Sequence, residues 1–251
     1  MSNHWLHYMN LSDPYERKAR FIPGLVTALP LLPLAAAYRL PLSSWVGVLV
    51  SGAGLAAAAA VFVSHLASAF GNRLQRELWP DWPHDAPTHR WLWPTNNEVS
   101  GQQRALWCER VRALTGLHIA AAASHDSPEE TRRVINDAVV ALRARLWQAP
   151  EGERVRLHNT DFGFARNLTG LRLVWMPLAV LSTIGCWIGF AWVHCPLLWA
   201  LVSTALAVIA LPVGWFILPA YVRLKAHQYG ESFFGALALL DVGVGPLQQS
   251  G

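Results

Sequence analysis

Residues 173–193 read LVWMPLAVLSTIGCWIGFAWV, twenty-one residues without a charged side chain. A helix of roughly 20 apolar residues crosses a hydrocarbon core of about 30 Å, so this run predicts a membrane span. Arg172 precedes the run, and His194-Cys195-Pro196 follows it as a predicted turn. Residues 197–222 are again uncharged, and the two runs together predict a hairpin of transmembrane helices.

A second pair of uncharged runs lies nearer the N-terminus. Residues 21–38 reach only the lower length limit for a span, and they contain Pro23, Pro30 and Pro33. Neighbouring helices can satisfy the carbonyls that proline frees in a membrane, so a kinked span is predicted rather than a broken one. Residues 44–70 are twenty-seven in number, which is enough to cross with tilt.

Composition agrees with this pattern. The chain of 251 residues is 53% hydrophobic and 14% charged, whereas soluble domains carry about 25% charged residues. The charges are concentrated between the two hairpins, where basic and acidic residues nearly balance. A basic nucleic-acid-binding surface is therefore not expected. The three cysteines form no CxxC pair, which argues against a zinc site or a disulfide framework.

The sequence thus predicts an all-α membrane protein with four transmembrane helices, arranged as two hairpins that flank a mostly helical cytoplasmic domain. Arg39 is the one basic residue in a short hairpin loop, and the other nineteen lie on the opposite side. The positive-inside rule therefore predicts a multi-pass protein of the bacterial inner membrane with both termini in the cytoplasm. The predicted divisions are an N-terminal segment 1–20, a first hairpin 21–70, a cytoplasmic helical domain 71–170, a second hairpin 171–222 and a cytoplasmic tail 223–251.

The central segment shows one irregular stretch and several helix signals. Prolines and tryptophans crowd residues 79–96, which prevents a regular helix there, and residues 98–115 fit a helix. Ser127-Pro128 with Glu130 is a helix start with a capping box. A short interfacial helix is predicted over 162–171. After Ser127, apolar residues follow at helical spacing and predict a buried face made of Ile135, Val139, Leu142 and Leu146.

His65 lies within the second uncharged run, where an ionisable group is a functional candidate by default. Small and polar residues share its face at roughly heptad spacing, and in an oligomer that face can line a polar path. The alternative, which we favour on general grounds, is that these residues only let helices pack closely. The pore or packing candidates are Ser51, Gly54, Ala58, His65, Ser68 and Asn72.

No catalytic motif is present: the chain lacks GxSxG, a P-loop and HExxH. His84, Asp85 and His89 are close in sequence, but their spacing is poor for zinc. We therefore expect no enzyme, no metal and no cofactor. A membrane enzyme acting on a lipid-linked substrate stays open as an alternative, with His84, His89 or Asp161 as its candidates.

Three blocks resemble sequences of small multi-span effector proteins from bacterial anti-phage defence systems. They are Asp13-Pro14-Tyr15-Glu16-Arg17, the stretch 79–83 (WPDWP) with 88–92 (THRWL), and 162–171 (FGFARNLTGL). The resemblance implies an effector that stays idle until a cytoplasmic sensor protein or nucleotide signal acts, and then forms a homo-oligomer or opens in the lipid bilayer. The residues that it offers for docking of a signal or partner are Trp79, Trp82, Arg90, Trp91, Arg166 and Asn167.

Two functions are carried forward. The first is an effector that permeabilises the inner membrane on a cytoplasmic signal. The second is a non-conducting, membrane-anchored binding or scaffold module for a cytoplasmic partner. The near-neutral helical domain fits both, because either function needs a folded region that receives a partner.

Overall fold

A computed structural model describes residues 15–39, 53–124 and 127–241, with the side chains of 53–61 and of Ser124 left out. Within these ranges the chain forms helices and no β-strand, as the sequence predicts. The helices are α1 Glu16–Ala37, α2 Ala53–Leu78, α3 Pro87–Arg90, α4 Gly101–Thr115, α5 Ile119–Ser124, α6 Pro128–Gln148, α7 Glu153–Gly170, α8 Arg172–Val193 and α9 Leu197–Leu239.

Among the described residues, the helices long and apolar enough to cross a membrane are α1, α8 and α9. They correspond to the first, third and fourth predicted spans, so the chain is a membrane protein. The predicted second span, 44–70, begins outside the described residues, and its later part lies in α2.

The prolines of α1 interrupt its regular helix without ending it. The segment starts as a π-helix over Glu16–Phe21 and passes through a 3₁₀ turn at Leu29–Leu31. The Pro23 carbonyl accepts hydrogen bonds from both the backbone N–H of Thr27, at 3.2 Å, and its hydroxyl, at 2.9 Å. The prolines thus interrupt the helix rather than end it.

The chain divides into two compact units, each built from two separated stretches. The membrane unit comprises the described parts of Met1–Leu78 and Thr160–Leu224. The second unit comprises those of Trp79–Asn159 and Lys225–Gly251. The segment predicted as a C-terminal tail is therefore helical as far as Leu239, and most of it belongs to the second unit.

In the membrane unit, α8 ends at His194, whose backbone is left-handed (φ 58°), and α9 begins three residues later at Leu197. Hydrogen bonds join the two helices. The Thr183 hydroxyl donates to the Ser203 carbonyl at 3.0 Å, and Trp187 Nε1 donates to Thr204 Oγ1 at 3.0 Å. Such bonds hold helices together where the surrounding lipid is as apolar as the helix surface.

The second unit has a hydrophobic core. The predicted apolar face of α6 is confirmed, because Ile135, Val139, Leu142 and Leu146 are all almost fully buried. The end of α9 completes this core with Phe233, Phe234 and Leu237.

Helix starts in the second unit follow their capping residues. α6 begins after Ser127, whose hydroxyl accepts a hydrogen bond from the Glu130 N–H, as predicted. α4 begins at Gly101 rather than 98, because Ser100 caps it in the same way. The interfacial helix expected to begin at Phe162 begins earlier, at Glu153, since no helix-breaking residue separates the two positions.

Candidate functional site

The polar face of α2 carries the described pore candidates. His65 and Asn72 are exposed and Ser68 is half-buried, and their spacing places all three on one side of the helix. Ser51 lies outside the described residues. Gly54 and Ala58 lie in the first turns of α2, and the structure describes only their backbone. The proposed path along this face is therefore visible only over its last part.

The opposite side of α2 is buried in the membrane unit. Ala67, Leu74 and Gln75 are covered by other helices of this unit. Arg73 is the first charged residue after the uncharged run and follows His65 by eight positions, which is about 12 Å of helix. An exposed imidazole this far inside an uncharged run is unfavourable against lipid, and it needs a polar neighbour or water.

Arg166 and Asn167, two of the predicted docking residues, lie inside the membrane unit. Arg166 Nη1 donates to Gln75 Oε1 at 2.6 Å, and the guanidinium carbon lies 5.8 Å from the centre of the Phe162 ring. Asn167 is fully buried, and its Nδ2 donates to the Ala19 carbonyl at 2.7 Å. Burial lowers the pKa of Arg166 from its ordinary value. These side chains thus link α7 to α1 and α2, and docking by them stays a prediction.

Glycines let α2 and α7 approach closely beside Asn167. A Cβ on Gly170 would lie 2.5 Å from the Phe70 carbonyl, and one on Gly71 would lie 2.0 Å from Asn167 Oδ1. Sequence reasoning gave neither glycine this role. The available signal was the position of Gly71 at the end of the uncharged run and of Gly170 just before the next one.

Ion pairs surround this contact within the membrane unit. Arg172 lies 3.5 Å from Glu77, and its guanidinium carbon lies 4.8 Å from the centre of the Trp215 ring. Lys18 pairs with Asp161 at 2.7 Å. Asp161, a candidate for lipid-directed catalysis, thus has a basic partner, and this geometry is that of a structural ion pair.

The other four docking candidates lie in the second unit. Trp79 and Trp91 are buried, so most of each ring is already covered within the chain. Trp82 is 38% exposed and lies 6.0 Å from Trp79. Arg90 pairs with Glu98 at 2.5 Å. Trp82 is therefore the most exposed of the four docking candidates in the second unit.

His89 is the most perturbed titratable group that the structure describes. It is buried beside Thr88, whose hydroxyl lies 3.1 Å from its Nδ1. Burial lowers its pKa to about 4; the charges of Arg143 and His84 act in the same direction, and a hydrogen bond with Asn136 opposes them. Among the described residues, no three His, Cys, Asp or Glu side chains gather closely enough to hold a metal ion.

Comparison with protein-family models, with curated proteins and with solved structures finds no match to this chain.

Proposed function

We propose that the protein is a membrane-embedded effector that oligomerises or opens on a cytoplasmic signal and permeabilises the bacterial inner membrane. The observation that carries the proposal is the exposed polar face of α2, with His65, Ser68 and Asn72 on one side of the helix. Polar groups at membrane depth usually face a bundle interior or water. A second copy of the chain, or a water-filled path between copies, supplies that environment.

The proposal includes four spans and a defined orientation. The later part of 44–70 is helical in α2, and its length and lack of charge support a fourth crossing. The bias of Lys and Arg supports cytoplasmic termini and a cytoplasmic second unit. In this arrangement Arg73 and Arg76 mark the cytoplasmic edge of the membrane, and His65 lies on the membrane side of them.

The assignment to anti-phage defence rests on the resemblance of the sequence blocks described above. Of the first of these blocks, Asp13 and Pro14 lie outside the described residues, and Tyr15, Glu16 and Arg17 lie within them. The last contributes Arg166, Asn167 and Gly170 to the contact between α2 and α7. A signal that shifts this contact would also shift the helix that carries His65, which supports the block as part of the opening mechanism.

The first experiment measures membrane potential with a voltage-sensitive dye in cells that express the protein alone and with its genomic neighbours. We expect rapid depolarisation when the trigger is present. His65→Ala and Gly54→Leu should each reduce it at least tenfold, because the first removes the polar group and the second blocks close helix approach.

Ile209→Ala is the control, since Ile209 is 61% exposed on α9, carries no polar group and does not belong to the polar face of α2. It should leave depolarisation unchanged. The proposal fails if every trigger leaves the membrane potential intact although the protein is present in the membrane.

A non-conducting, membrane-anchored binding module is the second candidate function. A groove in the second unit favours it, because the aromatic walls of that groove include Trp91, Trp107 and Phe234. Absence of depolarisation, together with loss of activity on changes confined to this groove, would identify the protein as such a module.

A further inference from the structure

A groove with a volume of about 690 Å³ opens in the second unit between α4, α9 and the stretch that leads into α4. This volume lies in the range of small-molecule sites, roughly 300–1,000 Å³. The residues that matter for its chemistry are Trp91, Glu98, Trp107, His227, Glu231 and Phe234. All of them belong to the second unit, so the groove is independent of the membrane path proposed above.

Aromatic rings form one wall of the groove. Trp107 is half-buried and supplies the accessible ring. It stacks on Phe234 with ring centres 4.2 Å apart and lies nearly parallel to Trp91 at 6.0 Å, and these two rings are themselves buried. Gly230 lets α9 approach this wall, since a Cβ there would meet the Trp91 ring at 3.0 Å. The faces of such rings carry partial negative charge and attract cations within about 6 Å of the ring centre.

Carboxylates line the same groove. Glu98 is held in place by Arg90 at 2.5 Å and by Trp91 Nε1, which donates to it at 2.9 Å. Glu231 is exposed, and it makes no ion pair within the part of the chain that the structure describes. It precedes Phe234 by three positions on α9, so the carboxylate and the ring share one side of the helix.

We propose that this groove binds a small, soluble organic cation, a quaternary ammonium or protonated amine with an apolar body. The Trp107 ring is the one that a cationic head can contact, and contact with an aromatic face is how quaternary ammonium groups are recognised in proteins. Glu231 supplies the charge that offsets the cation, because Glu98 is already paired with Arg90.

The test uses choline as the probe and 3,3-dimethylbutan-1-ol as its neutral counterpart, which has a carbon in place of the nitrogen and the same shape. Ligand-observed NMR titration of the full chain, in a maltoside detergent that carries no cation, measures both affinities. We expect choline to bind about tenfold more tightly than the alcohol, within the range of cation–π contributions. Equal affinities, or no binding of choline at 50 mM, would overturn the proposal.

Variants assign the binding to the groove. Glu231→Gln should weaken choline binding at least fivefold and leave binding of the alcohol unchanged, because only the charge is lost. Glu109→Gln is the matched control, since Glu109 is also exposed, lies on α4 and does not line the groove. If both variants bind choline like the original protein, Glu231 does not take part and the proposal is wrong.

Changes at Trp107 test the aromatic wall separately. Trp107→Phe should retain most of the preference for choline over the alcohol, and Trp107→Leu should abolish it, because leucine has no ring face. If Trp107→Leu does not fold, the comparison of Glu231→Gln with Glu109→Gln still decides the outcome. An unchanged preference in folded Trp107→Leu would overturn the aromatic part of the proposal.

Lipid headgroups carry the same chemistry, and a comparison of nanodiscs separates the two sources. Choline should bind equally to the protein in phosphatidylglycerol and in phosphatidylcholine nanodiscs. Weaker binding only in phosphatidylcholine would show that the headgroup occupies the groove, which would overturn the assignment to a soluble ligand. Failure of these tests leaves the depolarisation experiment unaffected, because that experiment concerns α2.

Discussion

Two phenylalanines of one helix show how differently the two units are stabilised. Phe216 lies in the membrane unit and is 76% exposed, whereas Phe233 lies in the second unit and is fully buried. The second unit hides its large apolar side chains from water in the ordinary way. The membrane unit turns its own apolar side chains outward, because lipid accepts them without penalty.

The membrane unit must therefore be held together by other means. Besides small apolar clusters around Trp175 and around Cys186, its internal contacts include the buried polar group of Asn167, close backbone approach at Gly71 and Gly170, and hydrogen bonds between helices. An exposed large apolar side chain is therefore tolerated in the membrane unit and unfavourable in the second unit.

The largest effect is expected for truncation of a core ring. Phe233→Ala should reduce the free energy of unfolding of the second unit by about 3–5 kcal/mol, because it leaves a cavity in a closed core. Phe216→Ala should change stability by less than about 1 kcal/mol, since its ring is already exposed. Hydrogen exchange of the α6 amides in detergent measures the loss of stability in Phe233→Ala, and thermal unfolding compares Phe233→Ala with Phe216→Ala. Equal losses for the two variants would contradict the comparison.

A smaller effect is expected from acid, through His89. Its pKa is about 4 in the folded protein, and an unperturbed histidine has a pKa near 6.5. Between these values the unfolded chain binds a proton that the folded chain does not. The second unit should therefore lose about 3 kcal/mol of stability as the pH falls from 6.5 to 4. Above pH 6.5, His89 should cause no further change of stability with pH.

Hydrogen exchange at pH 7.5 and pH 4.5 measures this loss. His89→Gln should flatten the pH dependence of the second unit, because glutamine does not titrate, while the dependence caused by carboxylates remains. His89→Gln with an unchanged difference between the two pH values would show that another group is responsible.

The smallest effect is expected at the glycines. Gly170→Ala should destabilise the membrane unit by about 1–3 kcal/mol, since its methyl group would collide with the backbone at Phe70. Gly235→Ala has open space around its Cβ and should stabilise α9 by about 0.5–1 kcal/mol, because alanine favours the helix. Thermal unfolding in detergent distinguishes these opposite signs. A stabilising Gly170→Ala would show that the close contact with α2 is not required.

Much of the fold could be predicted because its signals are local. Uncharged runs gave the spans at 21–38, 173–193 and 197–222, and the capping box at Ser127 gave the start of α6. The role of the last segment could not be predicted in the same way. The local sequence does not indicate that Phe233 and Phe234 complete a core with α6, because that contact joins residues far apart in the chain.

In the candidate sites too, local features could be predicted from the sequence, and contacts between distant residues could not. Helical spacing predicted that His65, Ser68 and Asn72 share one face of α2, but not that His65 is exposed within the chain. The internal roles of Arg166 and Asn167 depend on Gln75 and Ala19, which belong to other helices and give no sign of it in sequence. The aromatic groove likewise combines Trp91, Trp107 and Phe234 from three separate stretches.

The discontinuous construction of the second unit has a consequence for how the protein is made. A ribosome releases Leu142 and the rest of α6 well before it releases Phe233, and α8 and the start of α9 come between them. Val111, Leu114 and Ile119 can cover part of the apolar face of α6 early, but the part that Phe233 and Phe234 cover must stay open while α8 and the start of α9 are synthesised. Synthesis that stalls in this interval leaves a surface of the kind that chaperones and quality-control proteases recognise. The core of the second unit is therefore completed only after α8 and the first part of α9 have been synthesised.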